Sequence, residues 1–290
     1  MFDIQEYYQA DTVSEAIELL TAHPGTKLIA GGTDVLVKLR HFSDKFTRLV
    51  SIHELTEMKR VELKDKTLFL GSGLTFTETI NSEPVNKYLP VLAEACATVA
   101  GPQIRNMGTI GGNIANGATS ADTAAPMLVL EPTLVIQGPQ GLRRTVIGEF
   151  HTGPGQVALS SDEVLLGFEF DLGTLNGLGA RYYKYAMRAA MDIATIGCAA
   201  GVKLDGDIMT DLRLAFTVAA PTPVRCRRAE AAGLNQPLND QTMEKIIKAL
   251  DEDIKPRTSW RASREFRVRI IKTLADRMIR AAAGRLKGRA

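Results

Sequence analysis

One long segment, residues 100–126, constrains this 290-residue chain more than any other. It reads AGPQIRNMGTIGGNIANGATSADTAAP and has too few large apolar residues to predict a buried helix or strand. Glycine lets a ligand approach the main chain closely, and consecutive exposed N–H groups bind anions. Because an aperiodic segment of about 25 residues is typically functional or disordered, we interpret this one as an ordered, ligand-facing loop. The alternative is a turn-rich structural connection.

A second glycine loop lies near the N-terminus, where residues 27–34 read KLIAGGTD. This pattern predicts a buried strand over 28–30, a turn at Gly31 and Gly32, and a helix that starts at Asp34. A glycine turn between a strand and a helix N-terminus is typical of phosphate sites. Two such loops predict one elongated polyanionic ligand held at two points. Neither loop is a G-x-G-x-x-G or P-loop motif, so those two nucleotide-binding solutions are not supported.

Several kinds of chemistry are excluded by residue type. The three cysteines, Cys96, Cys198 and Cys226, are too few for an iron–sulfur cluster, which normally needs four thiolates. The four histidines show no metal-ligand spacing, and there is no Ser/His/Asp set, paired-carboxylate motif or activated thiol. We therefore predict no catalytic side chain and no metal ligand. The N-terminus lacks a signal-peptide pattern, and no apolar run approaches the roughly 20 residues of a membrane span. A cytoplasmic protein without membrane contact is expected.

Five motifs, taken together and in order along the chain, resemble the FAD-binding medium subunit of the molybdenum hydroxylase family. They are AGGTD (30–34), TIGGNI (109–114), NGATSAD (116–122), YKYAMR (183–188) and SWRAS (259–263). The resemblance covers almost the whole chain and is strongest to the separate FAD-binding subunits of bacterial xanthine dehydrogenases. It implies an α+β fold with a two-part FAD-binding domain of the vanillyl-alcohol-oxidase or PCMH type over 1–176. Its subdomains would span about 1–56 and 57–176, and a C-terminal α+β domain, an antiparallel sheet plus helices, would span 177–290.

The site predictions come from the residues and from the resemblance. From the residues, backbone N–H groups of 28–34 and 109–113 would bind the FAD pyrophosphate, and Ser120 and Asp122 would fix the loop or a polar edge of the cofactor. The resemblance implies that Asp122 and Lys184 contact FAD and that Leu165 or Leu166 touches the flavin through its backbone. We expect Gly111→Val to empty the site and leave the fold intact. The full predicted cofactor-binding set is Lys27, Leu28, Ile29, Ala30, Gly31, Gly32, Thr33, Asp34, Val35, Thr109, Ile110, Gly111, Gly112, Asn113, Ser120, Asp122, Leu165, Leu166 and Lys184.

The resemblance also implies a function in a complex. Electrons would come from a small 2Fe–2S subunit, fed by a large molybdopterin subunit that hydroxylates the substrate, and reduced flavin would pass a hydride to NAD⁺. The assembly would be a heterotrimer or a dimer of heterotrimers, with xanthine or a related purine as substrate. Three alternatives stay open: the medium subunit of another hydroxylase (nicotinate or carbon monoxide dehydrogenase), a self-contained flavin oxidoreductase of the same fold, and a non-catalytic module that binds an acidic partner.

The remaining patterns predict secondary structure. In the first part they indicate a capping box at Thr12, an amphipathic helix that ends before His23, and a strand over 49–52. A hairpin over 60–73 follows, then a helix indicated by residues 91–97 that would end near Gly101 and Pro102. Strands are predicted over 133–137, 142–147 and 164–170, so the second subdomain is expected to be strand-dominated. After a linker at 173–179 come strands over 182–186, 193–204 and 212–219, with a hairpin at 205–207. Helices are predicted over 226–232, 240–250 and 260–283.

The end of the chain is strongly basic. Residues 255–290 contain 12 Lys or Arg and 2 Asp or Glu, while the rest of the chain carries a net −8. Phe266, Ile270, Leu274 and Met278 recur at helical spacing and predict one packed face. No base-stacking aromatic residues accompany the basic ones, so a solvated face or a partner-subunit contact is favoured over nucleic-acid binding.

Overall fold

The computed structural model describes residues 3–41 and 46–287, and within them four β-sheets are flanked by helices. The first sheet has the strand order β1-β3-β2, and both of its strand pairs are parallel. The elements of this part are β1 (Glu6–Gln9), α1 (Val13–Ala22), β2 (Lys27–Ile29), α2 (Val35–Arg40) and β3 (Arg48–Ser51).

Helix α1 follows the predicted pattern closely. Its buried residues are Val13, Ala16, Ile17 and Leu20, and the Thr12 side chain accepts a hydrogen bond from the Glu15 N–H. The Glu15 carboxylate, however, accepts from the Asp11 N–H at 2.7 Å rather than from that of Thr12. Only half of the predicted capping box therefore forms.

The second sheet is antiparallel throughout, in the order β4-β5-β10-β6-β7. Its two hairpins, β4–β5 and β6–β7, confirm the predicted strands of this region. Its strands are β4 (Val61–Lys64), β5 (Thr67–Gly71), β6 (Thr133–Gly138), β7 (Gly141–Val146) and β10 (Val164–Asp171).

Six short helices lie between β5 and β6, so the prediction of a strand-dominated second subdomain is wrong. Segment 100–126 is not an aperiodic loop, because it contains two complete helices and the start of a third. Helices of six to eight residues are too short to show a clear 3.6-residue period, and small residues bury readily where elements approach closely. The helices are α3 (Phe76–Asn81), α4 (Glu83–Tyr88), α5 (Pro90–Ala97), α6 (Pro102–Met107), α7 (Ile110–Ala115) and α8 (Ala124–Leu130).

A short helix and a two-stranded sheet precede β10, and a helical turn follows it. Helix α9 (Ile147–Phe150) leads into a two-stranded sheet of β8 (His151–Gly153) and β9 (Gln156–Val157). After β10, part of the predicted linker forms a helical turn, α10 (Leu172–Leu175), capped by the Asp171 side chain.

The C-terminal part is an antiparallel sheet in chain order, covered by helices, as predicted. The predicted hairpin connects β12 to β13 through Gly206 and Asp207, and Gly206 has a φ of +57°. The elements are β11 (Gly179–Tyr185), β12 (Ile196–Asp205), β13 (Ile208–Thr217), β14 (Val224–Arg225), α11 (Arg227–Gly233), α12 (Asp240–Asp253) and α13 (Arg264–Lys287).

The packed face of α13 lies about one residue from the predicted one. Its centre is formed by Arg267, Ile271, Ala275 and Ile279, all of which are buried. Of the predicted stripe, Leu274 is buried and Ile270 and Met278 pack at its edge, but Phe266 is exposed. One residue corresponds to about 100° around a helix, so a short stripe defines the face poorly.

The two parts of the chain are tied together through Glu94 of α5. Its carboxylate accepts hydrogen bonds from Arg181 at 3.0 Å, from Arg285 of α13, and from the Tyr182 N–H at 3.2 Å. Within the described residues no helix is both long and apolar enough to span a membrane.

Candidate functional site

A cavity of about 790 Å³ lies between the first sheet and the α6–α7 region. This volume is within the range of small-molecule and cofactor sites, roughly 300–1,000 Å³. Fifteen of the predicted site residues line it: Lys27, Leu28, Ala30, Gly31, Gly32, Thr33, Asp34, Val35, Thr109, Gly111, Gly112, Asn113, Ser120, Asp122 and Leu165.

The structure brings the two glycine loops together. A Cβ atom at Gly31 would overlap the carbonyl group of Met107, so glycine is required where the loops touch. The side chain of Asn116 connects the loops, accepting from the Lys38 Nζ at 2.7 Å and donating to the Asp34 Oδ2 at 3.1 Å. Residues distant in sequence therefore form one wall of the cavity.

The first loop presents free backbone donors to the cavity. Among residues 3–41 and 46–287, the N–H groups of 31–35 have no acceptor, and the Asp34 side chain makes no capping bond. Gly32 has a φ of +71°, a conformation that favours glycine. Five consecutive N–H groups without acceptors, beside Lys27 and Lys38, suit the oxygens of an anionic ligand.

The second loop uses its N–H groups differently from the prediction. The N–H of Ile110 donates to Leu74 O at 2.9 Å and that of Gly111 to Ser72 O at 2.8 Å. Those of Gly112 and Asn113 donate to the side chain and carbonyl oxygen of Thr109, which caps α7. These four groups hold α7 in place, so their predicted binding to phosphate oxygens is not supported.

Gly111 also has a different role from the predicted one. A Cβ atom there would overlap the Cβ of Ser72 and lie 2.6 Å from its carbonyl oxygen. Gly111→Val would therefore disrupt the packing of α7 as well as the cavity, and the expectation of an intact fold is wrong. Gly112 is exposed toward the cavity, and a Cβ there would meet only the Thr109 Oγ1, at 2.9 Å.

The turn between α7 and α8 adds a second set of free donors. The N–H groups of Ala118, Thr119, Ser120 and Asp122, and the Ser120 hydroxyl, have no acceptor within the described part of the chain. The turn is held from behind by Asn113, whose Oδ1 accepts from the Thr123 hydroxyl at 2.6 Å. Small polar residues thus leave this stretch of backbone accessible.

Asp122 and Lys184 form a buried ion pair at the cavity wall. The Lys184 Nζ lies 2.8 Å from the Asp122 Oδ2, and the two side chains are 8% and 10% exposed. The Tyr182 hydroxyl donates to the other carboxylate oxygen at 3.2 Å. Burial raises the pKa of Asp122, and Lys184 and Tyr182 partly oppose that shift. Lys184 does not line the cavity and acts on it through Asp122.

The other predicted residues outside the cavity lining are apolar. Ile110 is fully buried, while Ile29 of β2 and Leu166 do not reach the cavity. Leu166 is the extra residue at a β-bulge in β10, and the carbonyl groups of Leu165 and Leu166 both accept from Ser72. Those two carbonyl oxygens are therefore engaged within the chain.

Some cavity residues were not predicted. Gly155, in the turn between β8 and β9, donates from its N–H to Gly117 O at 2.9 Å. Asp192 and Ile193 reach the cavity from the β11–β12 connection, for which the sequence offers no signal. The unpredicted lining residues also include Lys38, Ser72, Gly73, Phe76, Ile104, Asn116, Ser160, Ser161 and Glu163.

Comparison with known families identifies the class of protein that has this fold. Residues 2–170 match the model of the FAD binding domain in molybdopterin dehydrogenase, and residues 181–282 match the CO dehydrogenase flavoprotein C-terminal domain. The chain belongs to the family of FAD-binding medium subunits of molybdenum hydroxylases.

Particular relatives match along their whole length. The chain is 48% identical to the xanthine dehydrogenase FAD-binding subunit of Escherichia coli O157:H7, over 100% of this chain and 99% of the relative. It is 28% identical to the carbon monoxide dehydrogenase medium chain of Hydrogenophaga pseudoflava, over 97% of both. A solved structure of that organism's carbon monoxide dehydrogenase, lacking the Mo-pyranopterin moiety, superimposes with a TM-score of 0.94 at 29% identity, over 98% of this chain and 99% of that one.

Proposed function

We propose that the cavity binds FAD and that this chain is the electron-transfer subunit of a xanthine dehydrogenase-type complex. The observation that carries the proposal is the set of backbone N–H groups at 31–35 that have no acceptor in the described chain and border the cavity. A dinucleotide cofactor has a diphosphate that needs such donors, and the large cavity suits its extended shape. FAD, when bound, supplies the electron chemistry.

The residues of this chain would divide into three roles. The 31–35 segment and the turn at 118–122 bind the anionic and polar parts of the cofactor through backbone donors. Lys184 and Tyr182 hold the Asp122 carboxylate in one position at the cavity wall. The predicted residues that line the cavity are retained in this proposal, although Gly111, like Ile110, packs α7. Ile29 and Leu166 do not reach the cavity, and Lys184 acts through Asp122.

We further propose the partners and the acceptor that the sequence analysis predicts. These are a large molybdopterin subunit, a small 2Fe–2S subunit, and NAD⁺ as final electron acceptor. The 48% identity to a subunit named for xanthine dehydrogenase supports xanthine or a related purine as substrate. The domain division at residue 176, the oligomeric state and the cytoplasmic location stay predictions.

A matched pair of glycine variants tests the cofactor site. Gly112→Leu places a side chain in the cavity without meeting core backbone, whereas Gly148→Leu adds the same side chain at an exposed position in α9 with open space around it. We expect purified wild type and Gly148→Leu to bind FAD equally, and Gly112→Leu to bind at least about tenfold more weakly with an unchanged circular dichroism spectrum. Undiminished flavin binding by Gly112→Leu would show that the cofactor does not occupy this cavity.

The activity is tested on the complex purified from its native host through a tag on this chain. We expect molybdenum, iron and FAD in the preparation, and reduction of NAD⁺ when xanthine is added. Flavin without iron and molybdenum would instead indicate a self-contained flavoenzyme. A preference for nicotinate or carbon monoxide over xanthine would assign the chain to another hydroxylase.

A further inference from the structure

A group of positive charges that has no acidic partner among the described residues lies at the start of α13. Arg267 is only 2% exposed, yet its guanidinium donates solely to neutral groups, the carbonyl oxygen of Thr195 and the hydroxyl of Ser259 at 2.8 Å. Its Nε is buried and has no acceptor. Since arginine is rarely fully buried unless it is paired, Arg267 lacks the anion that its position requires.

Two arginines near Arg267 increase the excess of positive charge. Burial, together with the charges of Arg257 and Arg261, lowers the pKa of Arg267. The Nε of Arg261 is also buried without an acceptor. Across residues 3–41 and 46–287, no carboxylate lies within 4 Å of any of these three guanidinium groups. Farther along α13, by contrast, Lys272 and Arg280 have acid partners.

A large exposed aromatic residue lies beside these arginines. Trp260, the only tryptophan in the chain, is 76% exposed, and the Arg261 guanidinium lies 4.2 Å from its ring centroid. Tryptophan and arginine are the residues most enriched at the centres of protein–protein interfaces. The guanidinium group also matches a carboxylate through paired hydrogen bonds.

Arg267 connects α13 to a chain segment that also lines the cavity. Thr195, which accepts from Arg267, follows Asp192 and Ile193, two residues that line the cavity.

We propose that Trp260, Arg257 and Arg261, hereafter the Trp260 surface, dock a carboxylate-bearing segment of a partner polypeptide, and that the charge of the buried Arg267 adds to the positive potential there. The carboxylate accepts from the solvent-facing guanidinium groups of Arg257 and Arg261, and an apolar part of the segment covers Trp260. Charge complementarity selects an acidic partner, because three arginines cluster here and no carboxylate of the described residues lies within 4 Å of their guanidinium groups. The proposal rests on the proposed function only in requiring a partner subunit.

The test uses the complex purified through a tag on this chain, with FAD and partner subunits quantified per mole of chain. We expect Trp260→Ala and Arg261→Glu each to reduce the co-purifying partner at least about tenfold, with FAD content unchanged. The controls are Tyr7→Ala, which removes another exposed aromatic ring, and Arg228→Glu, which reverses an exposed charge on α11, and both should keep the partner. Full partner retention in both surface variants would overturn the proposal.

FAD content keeps this test separate from the proposed function, since a chain without FAD still reports on partner retention. A small anion is the competing occupant, and inorganic phosphate is the probe. If phosphate raises the melting temperature of wild type and Trp260→Ala but not of Arg261→Gln, while both variants keep the partner, the site binds a free oxyanion and the docking role is refuted. Loss of partner that worsens with added salt supports the proposed carboxylate.

Discussion

Replacing Lys184 by methionine would break the buried ion pair at the cavity wall, and its effect can be worked out from the structure. At an N–O distance of 2.8 Å and an effective dielectric constant of about 20, the attraction between Lys184 and Asp122 is roughly 6 kcal/mol. Desolvation of each buried ion costs several kcal/mol, so the net contribution of the pair is near zero. Removing one partner alone leaves a buried charge and is expected to cost about 3–5 kcal/mol.

A double variant tests whether the loss of stability comes from the unpaired Asp122 carboxylate. Lys184→Met leaves the Asp122 carboxylate with the Tyr182 hydroxyl as its remaining side-chain donor. Lys184→Met/Asp122→Asn removes both charges and should recover most of the lost stability. For a chain of this size, about 3–5 kcal/mol corresponds to a decrease of roughly 10 °C in melting temperature, so the single variant should melt well below the double variant.

The loss in Lys184→Met should also depend on pH. Burial raises the pKa of Asp122, and Lys184 opposes that shift, so its removal raises the pKa further. When the folded-state pKa exceeds the unfolded value of about 3.9, the folded state binds more protons, and stability falls as pH rises through the folded-state pKa. The deficit of the single variant relative to the double variant should be small near pH 5 and large near pH 8, both approximate values.

Far-UV circular dichroism is the appropriate assay, because the only tryptophan is 76% exposed and reports poorly on the core. Melting curves of wild type, Lys184→Met, Asp122→Asn and the double variant complete a double-mutant cycle. If Lys184→Met and the double variant melt within a degree or two of each other at pH 8, the buried-charge explanation is incorrect.

Three further predictions follow from other contacts. Gly31→Ala should destabilise the loop contact and abolish flavin binding, because its Cβ overlaps the Met107 carbonyl group, whereas Gly148→Ala, with open space around it, should leave melting temperature and flavin content unchanged. Thr75→Ala removes a complete capping box and should cost about 1 kcal/mol in denaturant unfolding, while Ser82→Ala, at an N-cap without a side-chain bond, should change stability by only a few tenths; equal losses would contradict the capping argument. Hydrogen bonding to Arg143 lowers the pKa of Glu163, so Arg143→Gln should lose up to about 1 kcal/mol at pH 7, and this loss should shrink as the pH falls below about 4.3 and through the lowered pKa of Glu163; a loss that does not change with pH would refute it.

Several parts of this protein can be predicted from short-range patterns in the sequence. The capped helix α1, the hairpins β4–β5, β6–β7 and β12–β13, and the α+β C-terminal part all have clear apolar periods or turn residues. The motifs around Gly31 and Gly111 indicated the family, which the comparisons show. These features are local because hydrogen bonding and alternation act over a few residues.

Which groups face the ligand cavity depends on tertiary contacts between distant segments. Both glycine loops contain small residues, but Gly111 is small because Ser72 packs against it, whereas Gly112 opens to the cavity. The N–H groups of 31–35 have no acceptor among the residues that the structure describes, while those of 110–113 donate to Leu74, Ser72 and Thr109. Sequence pattern cannot separate these cases, since a hydrogen-bond acceptor from a distant segment determines whether a donor is available.

The same reason explains Lys184, Asp192 and Arg267. Lys184 resembles an exposed strand lysine until Asp122, 62 residues away, pairs with it. Asp192 reaches the cavity only because β11 and β12 place their connection there. Arg267 lies on a basic helix, and its burial beside Thr195 is a property of long-range packing. Charge and burial depend on neighbours that chain order does not specify.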